Sequence, residues 1–104
     1  FPSTGIYLIQ GAFRILTGGN DTTVNVILNV TTDNSSYNNV SYTSGGSSGN
    51  NANQTSISAH IFDVTNTSTH KLRFLTESFG GSSYPHGSSA NTQSWFTVIK
   101  LAET

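Results

Sequence analysis

The chain has 104 residues, a formal net charge of −1, only 9% charged residues, and neither cysteine nor methionine. That length suits a single domain with a core of its own, and the missing cysteines remove disulfides, thiolate metal ligands and cysteine nucleophiles together. There is no basic excess to meet phosphates and no apolar run near the ~20 residues of a membrane-crossing helix, so neither nucleic-acid binding nor membrane insertion is expected.

Pro2 and Gly5 punctuate an entry turn, and the branched and aromatic run over 6–16 predicts a long strand. On a pleated strand Tyr7, Ile9, Phe13 and Ile15 point one way. Ile6, Leu8, Ala12 and Leu16 point the other, with Gln10 and Arg14 as the polar members of that second face. Both faces are therefore apolar, and the second needs a cover: a helix, a third layer or another copy of the chain. Residues 17–21 (TGGND) read as a hairpin turn. Over 22–31, Val24, Val26, Leu28 and Val30 alternate with Thr23, Asn25, Ile27 and Asn29, the cleanest strand pattern in the chain. A polar turn at 32–36 leads into a weak strand over 37–43, with Val40 and Tyr42 on one side.

Residues 44–53 (SGGSSGNNAN) lack any large apolar anchor and predict an exposed loop, where Ser47 and Asn50 are candidate binding residues. In the next strand, 55–64, Ile57, Ala59 and Ile61 share one face and His60, Phe62 and Val64 the other. The apolar side thus changes midway, which predicts a bulge near Ala59. After a turn at 65–69, a strand over 70–76 places Leu72 and Phe74 inward and Lys71 and Arg73 outward. The Gly/Ser-rich connection 79–92 carries Tyr84, Pro85 and His86, and its length marks it as a second candidate binding loop through Tyr84 and His86. The last strand, 94–101, again has two apolar faces, Trp95, Ile99 and Leu101 against Phe96 and Val98. With six predicted strands and no helical periodicity, the class is an all-β sandwich.

The opening Phe1-Pro2-Ser3-Thr4-Gly5-Ile6-Tyr7-Leu8-Ile9 resembles the early core strand of the tumour necrosis factor and complement globular-head superfamily. The ending Ser94-Trp95-Phe96-Thr97-Val98-Ile99-Lys100-Leu101 is similar to that family's closing strand, and residues 57–64 and 72–75 fall in its order. The resemblance implies a jelly-roll protomer in a compact homotrimer, with Tyr7, Ile9, Trp95 and Ile99 at the trimer interface. One departure stands out, because the chain starts at the proline turn with six strands where a jelly roll has about eight. The missing strands are expected in an N-terminal part of a longer domain or chain, or from another polypeptide by strand addition.

Catalytic motifs are poorly supported. Gly45-Gly46-Ser47-Ser48-Gly49 matches the nucleophile-elbow pattern G-x-S-x-G, but that elbow strains a serine between a strand and a helix, and no helix is predicted. His60, His70 and His86 lack metal-ligand spacing, so no cofactor is expected, although His60 would suffice as one ligand per chain on a trimer axis. Six N-glycosylation sequons begin at Asn20, Asn29, Asn34, Asn39, Asn53 and Asn66, in a chain whose Ser/Thr content alone produces several. The composition and resemblance together favour a non-enzymatic trimeric surface module of a virus or phage: capsid decoration, fibre knob or tail-tip domain. On the virion surface it would meet other virion proteins, a host receptor or a glycan. The alternatives are a secreted receptor ligand of the tumour necrosis factor or complement type, and a glycan-binding module using Trp95 or Tyr84.

Overall fold

The computed structural model describes residues 1–19, 21–47, 49, 51–80 and 82–104. Its order begins with β1 (Gly5–Thr17), β2 (Val24–Thr31), β3 (Asn38–Gly45) and β4 (Ala52–Val64). It ends with β5 (Lys71–Glu77), the two-residue β6 (Tyr84–Pro85) and β7 (Trp95–Ala102). All pairings are antiparallel, in two sheets. In the first, β1 lies between β4 on one edge and both β7 and β6 on the other; in the second, β2 lies between β3 and β5. The molecule is all-β, a sandwich of these two layers.

The odd-numbered face of β1 makes the core. Tyr7 and Ile9 are buried with Phe62 and Val64 of β4 against Leu28 and Val30 of β2, and Ile15 closes a second cluster with Val24 and Val26. Phe1 folds onto this end, its ring centroid 4.9 Å from Tyr7 and 5.8 Å from Phe62. Gly5 begins β1 at φ +148°, where a Cβ would strike the Ala102 carbonyl and the Lys100 side chain, so only glycine lets the strands meet there.

Residues 17–21 do turn, with the Asp21 amide donating to Gly18 O at 2.9 Å, but they do not make a hairpin. β1 and β2 belong to different sheets, so the segment crosses from one layer to the other. The expected bulge near Ala59 is also absent: β1 and β4 pair in unbroken register from Gly5↔Val64 to Thr17↔Ala52. Ile57, Ala59 and Ile61 simply all face away from the core while Ser58, Phe62 and Val64 face in. The register shifts lie instead between Ile6 and Tyr7 on the β7 side, and between Leu28 and Asn29 on the β3 side. The weak strand is a full eight-residue partner of β2, and the 44–53 loop is shortened from both ends by β3 and β4. Its first residues are tied down: Gln54 bonds both the amide and the carbonyl of Gly46, and Ser47 N donates to Asp21 O at 2.9 Å.

The β3/β4 side of the sandwich is closed, with Ser56 Oγ donating to Ser44 O at 3.0 Å. The β5/β7 side is open. A cleft of about 340 Å³ there is lined by Phe1, Pro2, His70, Lys71, Leu72 and Val98, and Phe96 lies exposed beside Phe74.

The turn from β2 to β3 is built on Asp33, whose Oδ1 accepts from Ser36 N (2.7 Å), Ser35 N (2.8 Å) and Thr31 Oγ1 (2.8 Å). These donors hold its carboxyl far below the usual carboxylate range, the two backbone amides most of all. A depressed folded pKa means the group stabilises the fold above its unfolded pKa, and that contribution is lost as pH falls through the folded value. Below about pH 4 the wild-type Tm should therefore fall more steeply with acidification than that of Asp33→Asn, as read by thermal melts across pH. In the core, Ile9→Ala should cost about 2–5 kcal/mol in denaturant unfolding.

Candidate functional site

The outward face of the first sheet is set by the even-numbered residues of β1 and their register partners. Three successive rows run across β4, β1 and β7: Ile61, Leu8, Ile99; then Ala59, Gln10, Thr97; then Ile57, Ala12, Trp95. A solvent-facing sheet would normally be polar here. Instead Ile57 and Ile61 are 66% and 62% exposed, and Ile99 and Trp95 are 46% and 41% exposed. The three rows carry no charge; Asp63 flanks one end of the patch and Arg14 the other.

The four residues expected at a trimer interface therefore separate. Trp95 and Ile99 lie on the exposed patch, but Tyr7 and Ile9, at 2% and 0% exposure, lie between the sheets and touch no outer surface. The strand's alternation decides this: Tyr7 and Ile9 share parity with Ile15, and that parity is the core's. Ile57 and Ile61 take their place on the surface. Their position was readable as a face of the strand over 55–64, but not that this face would stay uncovered.

Beyond Ala12 the same face changes character. Leu16 pairs with Tyr84, and His86 N donates to Arg14 O at 2.7 Å, so β6 continues the sheet where β7 stops. Ser94 fastens the changeover by accepting from Arg14 N (3.2 Å) and donating to His86 O (2.8 Å). Tyr84 and His86 stand side by side with ring centroids 5.1 Å apart, and Arg14 Nη1 donates to Gln93 Oε1 at 2.9 Å. Next to them the 87–94 segment curls round a hollow of about 440 Å³ walled by Ser, Asn, Thr and Gln side chains. Arg14 and Gln93 are the members of this patch that residue patterns did not single out as a pair; the signal available was a lone cation on an otherwise uncharged face.

Of the other candidates, Ser47 lies between β3 and β4, strands of different sheets, and among the described residues no helix follows it to strain it as a nucleophile. Asn50 lies outside the described residues, as do Asn20 and Ser48. His60 faces the core side near Phe62. His70 is buried, stacked on Phe62, with Thr65 Oγ1 and Thr69 Oγ1 within 3.3 Å of its two ring nitrogens. Among the described residues no three His, Asp or Glu side chains gather as a metal site. Asn29 of its sequon is buried, accepting from Arg73 Nε at 2.7 Å and donating to Asn39, so the folded chain cannot present it for glycosylation. Arg73 itself lies over the Tyr37 ring, 3.9 Å from its centroid, on the outer face of the second sheet.

No family model, no curated protein and no solved structure matches the chain.

Ser94→Ala removes the two bonds by which Ser94 bridges Arg14 and His86, leaving the direct pairing of β6 with β1 in place. The variant should lose about 1–2 kcal/mol locally, read as faster hydrogen exchange at the Arg14 amide with exchange in β2 unchanged.

Proposed function

We propose that this chain is a non-enzymatic structural module that works as a homo-oligomer, its copies packed through the outer face of the β4–β1–β7 sheet. The observation that carries this reading is the row structure of that face: Ile57, Ile61, Leu8, Ile99 and Trp95 form one apolar patch with no layer of this chain above it. Such patches on soluble chains mark interaction surfaces. Copies arranged round a symmetry axis bring this surface together at the axis, so apolar side chains of each leave water together.

The oligomer we propose is a trimer of jelly-roll protomers of the tumour necrosis factor and complement globular-head kind, on the resemblance of the first and last strands. In this reading Trp95 and Ile99 stand near the threefold axis. A patch of three strands about 4.8 Å apart and three rows long has a footprint of only a few hundred Å². Specific interfaces take ~800 Å² per partner, so the contact has to extend past the patch onto the β7 rim at Leu101. A cysteine-free, charge-poor chain with Ser, Thr, Asn and Gly loops suits an exposed appendage of a virus or phage, where it would decorate a capsid, cap a fibre or form a tail tip.

Native mass separates the outcomes. The wild-type chain should run as a trimer, and Ile61→Asp and Trp95→Ala should shift it toward monomer by at least tenfold in dissociation constant while keeping the wild-type circular dichroism. A wild-type monomer at micromolar concentration, or variants that assemble unchanged, would overturn the reading. Tyr7→Ala is a poor probe, because a buried aromatic lost from the core costs about 3–5 kcal/mol whether or not the chain assembles.

A further inference from the structure

The far end of the same outer face carries a different chemistry. Arg14 is half-buried on β1, and among the described residues the only ion pair is between Lys100 and Glu103, so no carboxylate lies within 4.0 Å of its guanidinium. A guanidinium presents five donors in a planar fork. Here Gln93 Oε1 accepts from Nη1, and no acidic side chain of the described chain meets the fork. Its flanks are equally specific. Across β1 on one side stand Thr55 and Asn53, the register partners of Arg14 and Leu16, and on the other stand His86 and Tyr84.

Tyr84 is 48% exposed although it belongs to a sheet. An aromatic face held in the open by backbone pairing is available for stacking against an apolar ring face. The hollow beside it shares Gln93 with Arg14, and its walls offer hydroxyl and amide groups and no charge. An unpaired cation, an open aromatic ring and a wall of uncharged donors and acceptors match one ligand chemistry: a ring with one C–H face, several hydroxyls and one carboxylate.

We propose that Arg14, Gln93, Tyr84 and His86 form a binding site for a carboxylated sugar, with the carboxylate on the Arg14 fork, the sugar ring on Tyr84, and its hydroxyls toward Gln93 and the 87–94 wall. A peptide carboxylate is the less favoured ligand, since it would use the fork but leave the open ring and the hydroxyl-lined hollow without a role. The site lies past Ala12, away from the rows Leu8 and Ala12 that carry the apolar patch, and does not depend on the chain assembling.

The test is an amide chemical-shift titration of the full chain with 3′-sialyllactose, with tri-galacturonic acid, with lactose and with a tri-glutamate peptide. At least one carboxylated sugar should give saturable shifts centred on Arg14, Tyr84, His86 and Gln93, at least tenfold tighter than lactose and than the peptide. Arg14→Gln should abolish the preference for the charged sugar, and Tyr84→Ala should weaken binding at least fivefold with the spectrum otherwise intact. The monomeric Ile61→Asp chain, whose new carboxylate lies three register rows from Arg14, should bind as the wild type does, which keeps failure of this site distinct from failure of assembly. No saturable shift with either carboxylated sugar overturns the proposal, as does lactose binding equally well. Equal or tighter binding of the peptide reassigns the fork to protein carboxylates and overturns the sugar site.

Discussion

β1 is the constraint on which everything else rests. Its thirteen residues pair without interruption with β4, and its other edge is shared between β7 and β6. A strand with partners along both edges has most of its backbone groups paired, and a one-residue slip of its register would invert every side chain. Tyr7, Ile9 and Ile15 fix that register from the inside, where burying each large side chain contributes about 1.5–3 kcal/mol. Once they are inside, Leu8, Ala12, Arg14 and Leu16 have no choice but to face out. The apolar patch and the polar, aromatic patch are thus two lengths of one strand's outward face.

The cover over the core is uneven. On one flank β3 and β4 meet, joined by Ser56, Gln54 and the Gly46 turn, whereas on the other Phe1, Leu72 and Val98 line an open cleft. β5 and β7 are both edge strands with one unpaired side. The outer face of the second sheet mixes a polar network, in which Asn29 bonds Arg73 and Asn39 and Arg73 lies over Tyr37, with one apolar row, Tyr42, Ile27 and Leu75. The two layers therefore differ in proportion: the central Ile27 of that row is buried, whereas Ile57, Ile61 and Ile99 of the first sheet stand exposed.

Much of this was legible in the residues. Alternation located six of the strands, and the double apolar character of the first and last ones pointed to a face needing a second cover. What could not be read was which parity is the core. Tyr7 and Ile9 look as fit for an interface as Trp95 and Ile99, because local pattern records that a residue is apolar and not which layer lies above it. The 17–21 turn failed for a related reason: TGGND reverses a chain equally well within a sheet or between sheets, and only long-range pairing decides. The switch of apolar side in β4 looked like a bulge because a strand with one buried face was assumed, while Ile57 and Ile61 are apolar and uncovered. Arg14 was visible as a polar exception, but the absence of a carboxylate near it is a property of the assembled sheet.

The direction of β1 has a further consequence. At its start Lys100 Nζ donates to Ser3 Oγ at 3.2 Å, so the first and last residues of the fold lie together. At its finish, thirteen residues and roughly 40 Å away at a ~3.3 Å rise, stand Leu16, Tyr84 and the anchored Gly46. In a body 47 Å long, that is nearly the full span. Any tether joined at either terminus would hold the molecule by its base, like a match by its stick, and turn the Arg14–Tyr84 end toward whatever lies in front.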